Sequence, residues 1–162
     1  MLYSQSDRDQ VNAALKKRAI AVWLPTALLL ALAIAAFVWY RLRHDESGWI
    51  VSGLLTILGG AYAIFFYGVY LGPVRKYKKH LDYMFDGMKR ETAGVFKEIS
   101  TNVIDRDGID CYSVWLNVGE KNDPEDDRLF YLDAYKSMAG FQPGDRVRVL
   151  SNDRMIASVT KV

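Results

Sequence analysis

Three carboxylates stand close together at Asp105, Asp107 and Asp110, which makes them the clearest candidates in this sequence for binding a cation. Carboxylate oxygens are the ligands that Ca²⁺ prefers in proteins. The spacing is not that of an EF-hand, however, and the pair Asp107-Gly108 is typical of a turn between two β-strands. We therefore expect a hairpin with no metal ion here, and treat the three aspartates as weak metal candidates.

A second acidic group lies in the segment from Asn122 to Asp127. Its carboxylates are Asp123, Glu125, Asp126 and Asp127. Charged side chains are almost always solvated, so a polar surface loop is the expected structure. Docking of a basic partner and binding of a cation are the alternatives that the sequence leaves open.

Residues that could carry catalysis are sparse. Ser158-Val-Thr-Lys161 fits the S-x-x-K pattern, but that motif needs its serine at a helix start, and these residues fall in a predicted strand. His44 and His80 lie at opposite ends of a long apolar segment, so neither completes a zinc site with the lone Cys111. No glycine-rich nucleotide motif occurs. We expect no catalytic residues, no cofactor and no enzyme activity.

Two long uncharged segments dominate the first half of the chain, Ala19 to Tyr40 and Ser47 to Val74. A helix needs about 20 apolar residues to cross the hydrocarbon core of a bilayer. The segments predict transmembrane helices over residues 19–42 and 49–72, joined by a short extracytoplasmic loop at 43–48. A cleaved signal peptide is the lesser alternative for the first segment, because its apolar region is usually only about 7–15 residues long.

Basic residues are concentrated on the two outer flanks of this pair of segments. They are Arg8, Lys16, Lys17 and Arg18 before the first, and Arg75, Lys76, Lys78, Lys79, Lys89 and Arg90 after the second. Because Lys and Arg favour the cytoplasmic side of a membrane, both termini are predicted to be cytoplasmic. The plasma membrane is the expected location if the protein is bacterial.

Small residues recur every fourth position in both apolar segments. They are Ala27, Ala31 and Ala35 in the first, and Ser52, Thr56, Gly60, Gly68 and Gly72 in the second. Small residues let helix backbones approach closely in lipid. These rows are expected to pack the hairpin together; contact with another copy or another membrane protein is the alternative. Both interiors lack Asp, Glu, Lys, Arg and His, which argues against a transporter.

Further helices are predicted on both sides of the hairpin. Ser6-Asp-Arg-Asp9 resembles a helix start, so residues 1–18 are expected to form an N-terminal cytosolic helix, and residues 73–91 follow the spacing of a basic amphipathic helix. This second helix either lies on the inner leaflet or packs on the domain that follows. Its basic face, which would contact lipid headgroups, comprises Arg75, Lys76, Lys78 and Lys79.

Residues 92–162 read as a small cytosolic β domain. Alternating apolar residues and turn signals predict five short strands, with a turn of helix at Lys136 to Phe141 between the third and the fourth. This order is that of an OB-like barrel, and an SH3-like barrel is the main alternative. The chain is thus expected to be an α+β membrane protein: a transmembrane hairpin, a juxtamembrane amphipathic helix and a five-stranded β-barrel.

The end of this domain resembles a known family. Phe141-Gln-Pro-Gly-Asp-Arg-Val-Arg-Val149, followed by a turn and an apolar last strand, is similar to the end of NfeD-like membrane proteins. That family joins membrane helices to a C-terminal OB-type domain, and the resemblance implies a role in membrane organisation beside a membrane partner. This chain departs from the family in having only two spans and in its acidic insert from Asn122 to Asp127.

These observations predict a membrane-anchored, non-enzymatic interaction module or accessory subunit. Its expected partners are the lipid bilayer and another membrane protein or a second copy of itself. The alternative is a membrane-tethered sensor that binds a small ligand or a cation at the barrel. Nucleic acid is not an expected partner, because residues 92–162 carry more Asp and Glu than Lys and Arg.

Overall fold

The computed structural model describes residues 1–119, 123–138 and 140–162. The chain forms two compact units, each of which is described separately. The ring unit comprises Met1–Asp9 and Lys76–Val162, and the hairpin unit comprises Gln10–Arg75. The fold class is α+β, with two long apolar helices followed by a five-stranded sheet.

Helices account for the first half of the chain. The first helix, α1, spans Gln5–Leu42. The second, α2, spans Gly48–Phe66 and continues through a π-helical turn, Tyr67–Leu71, into α3, Gly72–Asp86. By length and composition, α1 and the continuous helix that begins at Gly48 are both able to cross a membrane.

Within the hairpin unit, one face of α1 packs against α2. Val22, Thr26 and Ala33 are buried on α1, and Gly59 is buried on α2. A side chain at Gly59 would begin 3.3 Å from the Cβ of Leu29. Glycine suits this position because it lets the two helix backbones approach closely.

The helix that was expected to end at Gly72 continues past Pro73 without a break. Proline lacks an N–H and its ring clashes with the carbonyl four residues earlier, which usually ends a helix. Here the wider π-helical turn precedes Pro73, and the N–H of Gly72 bonds to the carbonyl of Tyr67. A proline and a π-bulge are both points at which a helix departs from regular geometry, and here the two occur side by side.

Arginines from both ends of the hairpin unit contact the tyrosines of this π-helical turn. Arg18 donates to the carbonyl of Tyr70 at 3.0 Å and lies 4.7 Å from the centre of its ring. Arg75 donates to the hydroxyl of Tyr67 at 2.6 Å. These contacts hold both arginines against the π-helical turn.

The second half of the chain is a five-stranded sheet that closes on itself. The strand order is β1-β2-β3-β5-β4, and β4 pairs with β1 to complete the ring. All pairs are antiparallel except β3 with β5. The strands are β1 Arg90–Arg106, β2 Ile109–Asn117, β3 Asp127–Asp133, β4 Arg146–Asn152 and β5 Met155–Lys161.

The long first strand makes closure possible. Its first part, from Arg90 to Val95, pairs with β4, and the part from Val95 onward pairs with β2. Gly94 lies where the strand changes partners, and a side chain there would begin 2.5 Å from the carbonyl oxygen of Asn117. Glycine therefore permits a backbone approach that any other residue would block.

Apolar side chains from all five strands fill the ring. Alternation places every second residue of a strand inside, and the inward residues form a single cluster. Its members are Phe96, Val114, Leu116, Phe130, Leu132, Met138, Val147, Val149 and Ile156. The expected helical turn at Lys136 to Phe141 is absent from the described residues of that segment, and Ala139 lies outside the described residues.

Candidate functional site

Three buried polar side chains and one half-buried tyrosine meet inside the ring unit. Tyr3 comes from the N-terminal segment, Tyr77 and His80 come from α3, and Asp133 is the last residue of β3. Tyr3, His80 and Asp133 are buried, and Asp133 has no exposed surface. We call these four residues the polar cluster. It joins three segments that are far apart in the sequence.

Hydrogen bonds connect the polar cluster. The hydroxyl of Tyr3 lies 3.0 Å from Nε2 of His80, and the hydroxyl of Tyr77 donates to Asp133 at 2.8 Å. Asp133 also accepts the backbone N–H of Tyr135 at 2.9 Å, and its carboxylate lies 3.9 Å from His80. Buried polar groups cost free energy unless they are paired. In the described residues no fully buried side-chain nitrogen or oxygen lacks a partner.

Burial controls the protonation of this cluster. It raises the pKa of Tyr3 and of Tyr77, in each case with a further contribution from Asp133. It lowers the pKa of His80, and the attraction of Asp133 only partly offsets this effect. Burial also raises the pKa of the nearby Cys111 thiol to about 11. The tyrosines and the thiol therefore stay protonated at neutral pH, and the imidazole stays neutral.

These protonation states suit a structural junction. A nucleophilic cysteine needs a lowered pKa and access to solvent, whereas Cys111 is fully buried and its Sγ lies 3.9 Å from the sulfur of Met155. A neutral His80 bonded to Tyr3 holds the N-terminal segment against α3. The polar cluster thus fixes the position of three segments at one point.

The N-terminal segment is fastened to the ring unit by further contacts. The N–H of Leu2 donates to the carbonyl of Ala157 at 3.0 Å. Lys136 pairs with Asp7 at 2.8 Å, and Arg8 pairs with Asp82 at 2.8 Å. The bond to Lys136 is the main reason that the pKa of Asp7 is lowered.

The start of α1 lies two residues earlier than the sequence suggested. The reciprocal cap is made by Ser4 and Asp7: the N–H of Ser4 donates to the Asp7 carboxylate at 2.7 Å, and the N–H of Asp7 donates to the Ser4 hydroxyl at 3.3 Å. The segment Ser4-Gln-Ser-Asp7 has the same S-x-x-D form as Ser6 to Asp9. The burial of Tyr3 and the ion pair between Lys136 and Asp7 favour Ser4 to Asp7 as the start of the helix.

The three aspartates proposed as weak metal candidates do not form a metal-binding group. No three His, Cys, Asp or Glu side chains converge within the described ranges. Asp105 instead accepts the backbone N–H of Gly108 at 3.0 Å, while Asp107 and Gly108 adopt the positive φ angles of the predicted hairpin turn. Asp107 and Asp110 are exposed.

Two of the predicted headgroup residues lie beside this hairpin. Lys76 and Lys79 line a cleft between α3 and the β1–β2 turn, together with His80 and Asp107. Lys79 also lies 5.7 Å from the centre of the Tyr83 ring. The other two headgroup residues, Arg75 and Lys78, are exposed and half-buried respectively.

Several of the predicted small residues lie on open surfaces of the hairpin unit. Ala27, Ala31 and Ala35 are exposed, and a side chain at Gly60 or Gly68 would meet nothing within 4 Å. The buried face of α1 is offset from the alanine row. The remaining predicted positions are Ser52 and Gly72, which are half-buried, and Thr56, which is exposed.

The acidic segment is described only from Asp123 onward, since Asn122 lies outside the described residues. Asp123 accepts the N–H of Glu125 and caps a short 3-10 helix, Pro124–Asp126. Asp127 pairs with Lys97 at 2.8 Å, which lowers its pKa, with help from a bond to Asn117. Two of the carboxylates therefore have local structural partners.

Sequence reasoning missed the polar cluster. Tyr3 stands in a short segment without a periodic pattern, so nothing in the sequence marks it as buried. Asp133 offered a signal, because it lies within the predicted apolar strand Leu129 to Tyr135 and a carboxylate at a buried strand position requires partners. His80 and Tyr77 occur one turn apart on a predicted helix, but their shared partner was not identifiable.

No family model, curated protein or solved structure matches this chain.

Proposed function

We propose that this protein is a membrane-anchored interaction module, and that it serves as an accessory subunit or scaffold in a membrane complex. The observation that carries this proposal is the exposed apolar surface of the long helices. In the most apolar 18-residue stretch of α1, only 17% is buried. In the corresponding stretch of the helix that begins at Gly48, only 6% is buried. A core helix of a soluble protein would be mostly buried, and lipid is the solvent that such surfaces require.

The ring unit supports a hairpin topology. It contains both the N-terminal segment and the strands that follow the second helix, so both ends of the hairpin belong to one compartment. Two crossings return the chain to the side on which it began. The basic flanks assign this side to the cytoplasm, and Lys76 and Lys79 remain proposed headgroup contacts on it.

We further propose that the closed sheet is an OB-type barrel. The ring order β1-β2-β3-β5-β4, with a long bent first strand and a parallel pairing of β3 with β5, supports this fold over an SH3-like barrel. The similarity of Phe141 to Val149 to the end of NfeD-like proteins agrees with it. Function by such analogy stays a proposal, because one fold serves many functions.

The exposed small residues of the hairpin unit are the proposed contact for a partner helix. The hairpin does not use Ala31 or Gly60 for its own packing. In lipid, small residues are favoured where backbones approach. A second copy of this chain or another membrane protein would pack against this surface.

Affinity purification of the tagged chain from its native membranes tests this proposal. We expect an integral membrane protein that resists alkaline extraction and brings down one partner near equal stoichiometry. Gly60→Leu should reduce recovery of that partner, while Ala61→Leu, at an exposed position outside the small-residue row, should not. Release of the chain by alkali, or a preparation free of both partner and self-association, would contradict the proposal.

A second proposed function is a membrane-tethered sensor that binds a small ligand at the barrel. It is favoured by a large cleft on the ring unit, apart from the polar cluster, which is lined by strand ends and by the β4–β5 turn. Anchoring would confine such a sensor to the membrane surface without changing the ligand site.

A further inference from the structure

We propose that this cleft binds a nucleoside phosphate. The inference rests on the second proposed function, ligand binding by the ring, and is independent of the partner proposal. The cleft has a volume of about 1050 Å³, which is sufficient for a ligand of this size. Its lining includes Arg90, Trp115, Arg128 and Arg154.

The cleft is positively charged although the β domain as a whole is acidic. Its two lining carboxylates already face cations from outside the lining: Asp127 pairs with Lys97 at 2.8 Å and Asp153 pairs with Arg106 at 2.9 Å. The cleft arginines remain available. In the part of the chain that the structure describes, no carboxylate pairs with Arg90, Arg128 or Arg154, and all three are exposed.

The three arginines that line the cleft favour a phosphate ligand. Arginine presents a planar fork of N–H donors that matches two phosphate oxygens at once. A concave surface of one charge concentrates its field and attracts an ion of opposite sign. Three such side chains around one cleft suit a ligand with more than one phosphate.

The β4–β5 turn holds one of these arginines in a strained conformation. Asp153 and Arg154 have φ angles of 44° and 67°, the left-handed values that a two-residue hairpin turn requires at both central positions. Glycine or asparagine meets this requirement at lower cost than arginine. The carbonyl of Arg154 accepts the N–H of Tyr131 at 2.8 Å, which fixes the turn to β3. Strained residues held in this way cluster at ligand sites.

Trp115 supplies a flat surface beside these cations. It is half-buried on β2, with Leu129 as its cross-strand neighbour. Among residues 1–119, 123–138 and 140–162, no aromatic or cationic side chain stacks on the indole. Nucleobases stack well on aromatic side chains. A base against Trp115 and phosphates among the arginines would use both features of the cleft.

Calorimetric titration of the full chain in mild detergent tests the inference, with ADP, pyrophosphate and adenosine as probes. We expect ADP to bind at least tenfold more tightly than pyrophosphate. Adenosine, which has no phosphate, should bind more weakly than either. Arg128→Gln and Arg154→Gly should each weaken ADP at least tenfold. Arg148→Gln should not, because this exposed arginine pairs with Glu91 and lies outside the cleft.

Two further readouts separate binding from folding. Arg154→Gly should keep or raise the melting temperature, because glycine adopts the left-handed turn without strain, so lost ADP binding cannot be attributed to unfolding. Trp115→Leu should weaken ADP while leaving pyrophosphate binding unchanged. A melting temperature that falls in Arg154→Gly together with ADP affinity would count against a ligand role for that residue.

The remaining outcomes would overturn the inference at different levels. Equal affinity for ADP and pyrophosphate would reject the nucleoside but keep a ligand-binding ring. Tighter binding of a short oligothymidylate than of ADP would replace a small ligand by single-stranded nucleic acid. If no probe gives a binding heat at millimolar concentration, the inference is rejected and the sensor proposal loses support. The proposal of a membrane partner does not depend on this result.

Discussion

The imidazole of His80 is surrounded by polar side chains. Tyr3, Tyr77 and Asp133 face it from the N-terminal segment, α3 and β3. Burial lowers its pKa in spite of the nearby carboxylate, so the folded protein favours the neutral ring. The unfolded chain has no such preference. Protonation of His80 therefore opposes the packing of the N-terminal segment.

Stability should consequently fall on mild acidification. Because the folded pKa of His80 lies below the unfolded value of about 6.5, the unfolded state binds more protons as the pH drops through that value. The free energy of unfolding is then lost with a slope of at most about 1.4 kcal/mol per pH unit. Thermal unfolding in detergent between about pH 7.5 and pH 5 measures this slope.

The second histidine provides the matched control for this experiment. His80→Gln should flatten the slope over this pH range, whereas His44→Gln, in the exposed loop between α1 and α2, should leave it unchanged. The lowered pKa of Asp7 acts at more acidic pH, below its ordinary value of 3.8, so the two effects separate. An unchanged slope in His80→Gln would remove His80 as the source.

Adjacent glycines on α2 have opposite environments. Gly59 is buried against Leu29, while Gly60, one residue on, faces open space. We expect Gly59→Leu to force the helices apart and to lower the melting temperature of the purified protein, since overpacking a close contact costs about 1–3 kcal/mol. Gly60→Leu should leave the melting temperature unchanged while it impairs partner recovery. Equal loss of stability in both variants would show that the α1–α2 contact has been misassigned.

The sequence predicted those elements whose signals are local. The alternation from Cys111 to Val118 and the turn at Asp107-Gly108 are confirmed as β2 and its hairpin. Each depends on residues that are neighbours in the chain. The two apolar helices were likewise readable from length and composition alone.

The features that the sequence did not predict depend on tertiary contacts. The spacing of Ala27, Ala31 and Ala35 is that of residues on one helix face. A helix has several such faces, and which one is buried depends on where the neighbouring helix packs. Tyr3 is buried because α3 and β3 supply its partners. Arg154 joins the cleft only because its turn is fastened to β3. None of these contacts is encoded within one element.

Taken as a whole, the chain brings its beginning and its end together. Residues Met1–Asp9 belong to the same compact unit as Lys76–Val162, and Leu2 is hydrogen-bonded to Ala157 in the last strand. Such contacts require both segments to lie in one compartment. An even number of membrane crossings follows if the hairpin is inserted, and the basic flanks indicate the cytoplasmic side.

Cysteine labelling measures this topology. Cys111 is unsuitable as a probe because it is fully buried with a raised pKa, so it is replaced by alanine. Single cysteines are then introduced at the exposed positions Asp9, Glu46 and Val162. If the proposed topology is correct, with the loop outside and both termini inside, a membrane-impermeant maleimide should label Glu46→Cys in intact cells. It should label Asp9→Cys and Val162→Cys only after lysis.

Each alternative pattern of labelling has a distinct physical meaning. Labelling of Asp9→Cys and Val162→Cys in intact cells, with Glu46→Cys protected, would invert the orientation while preserving the hairpin. Labelling of only one of the two termini would imply an odd number of crossings, and the contact of Leu2 with Ala157 could not then form within one chain. The ring unit therefore predicts that these two termini always behave alike, whichever side they occupy.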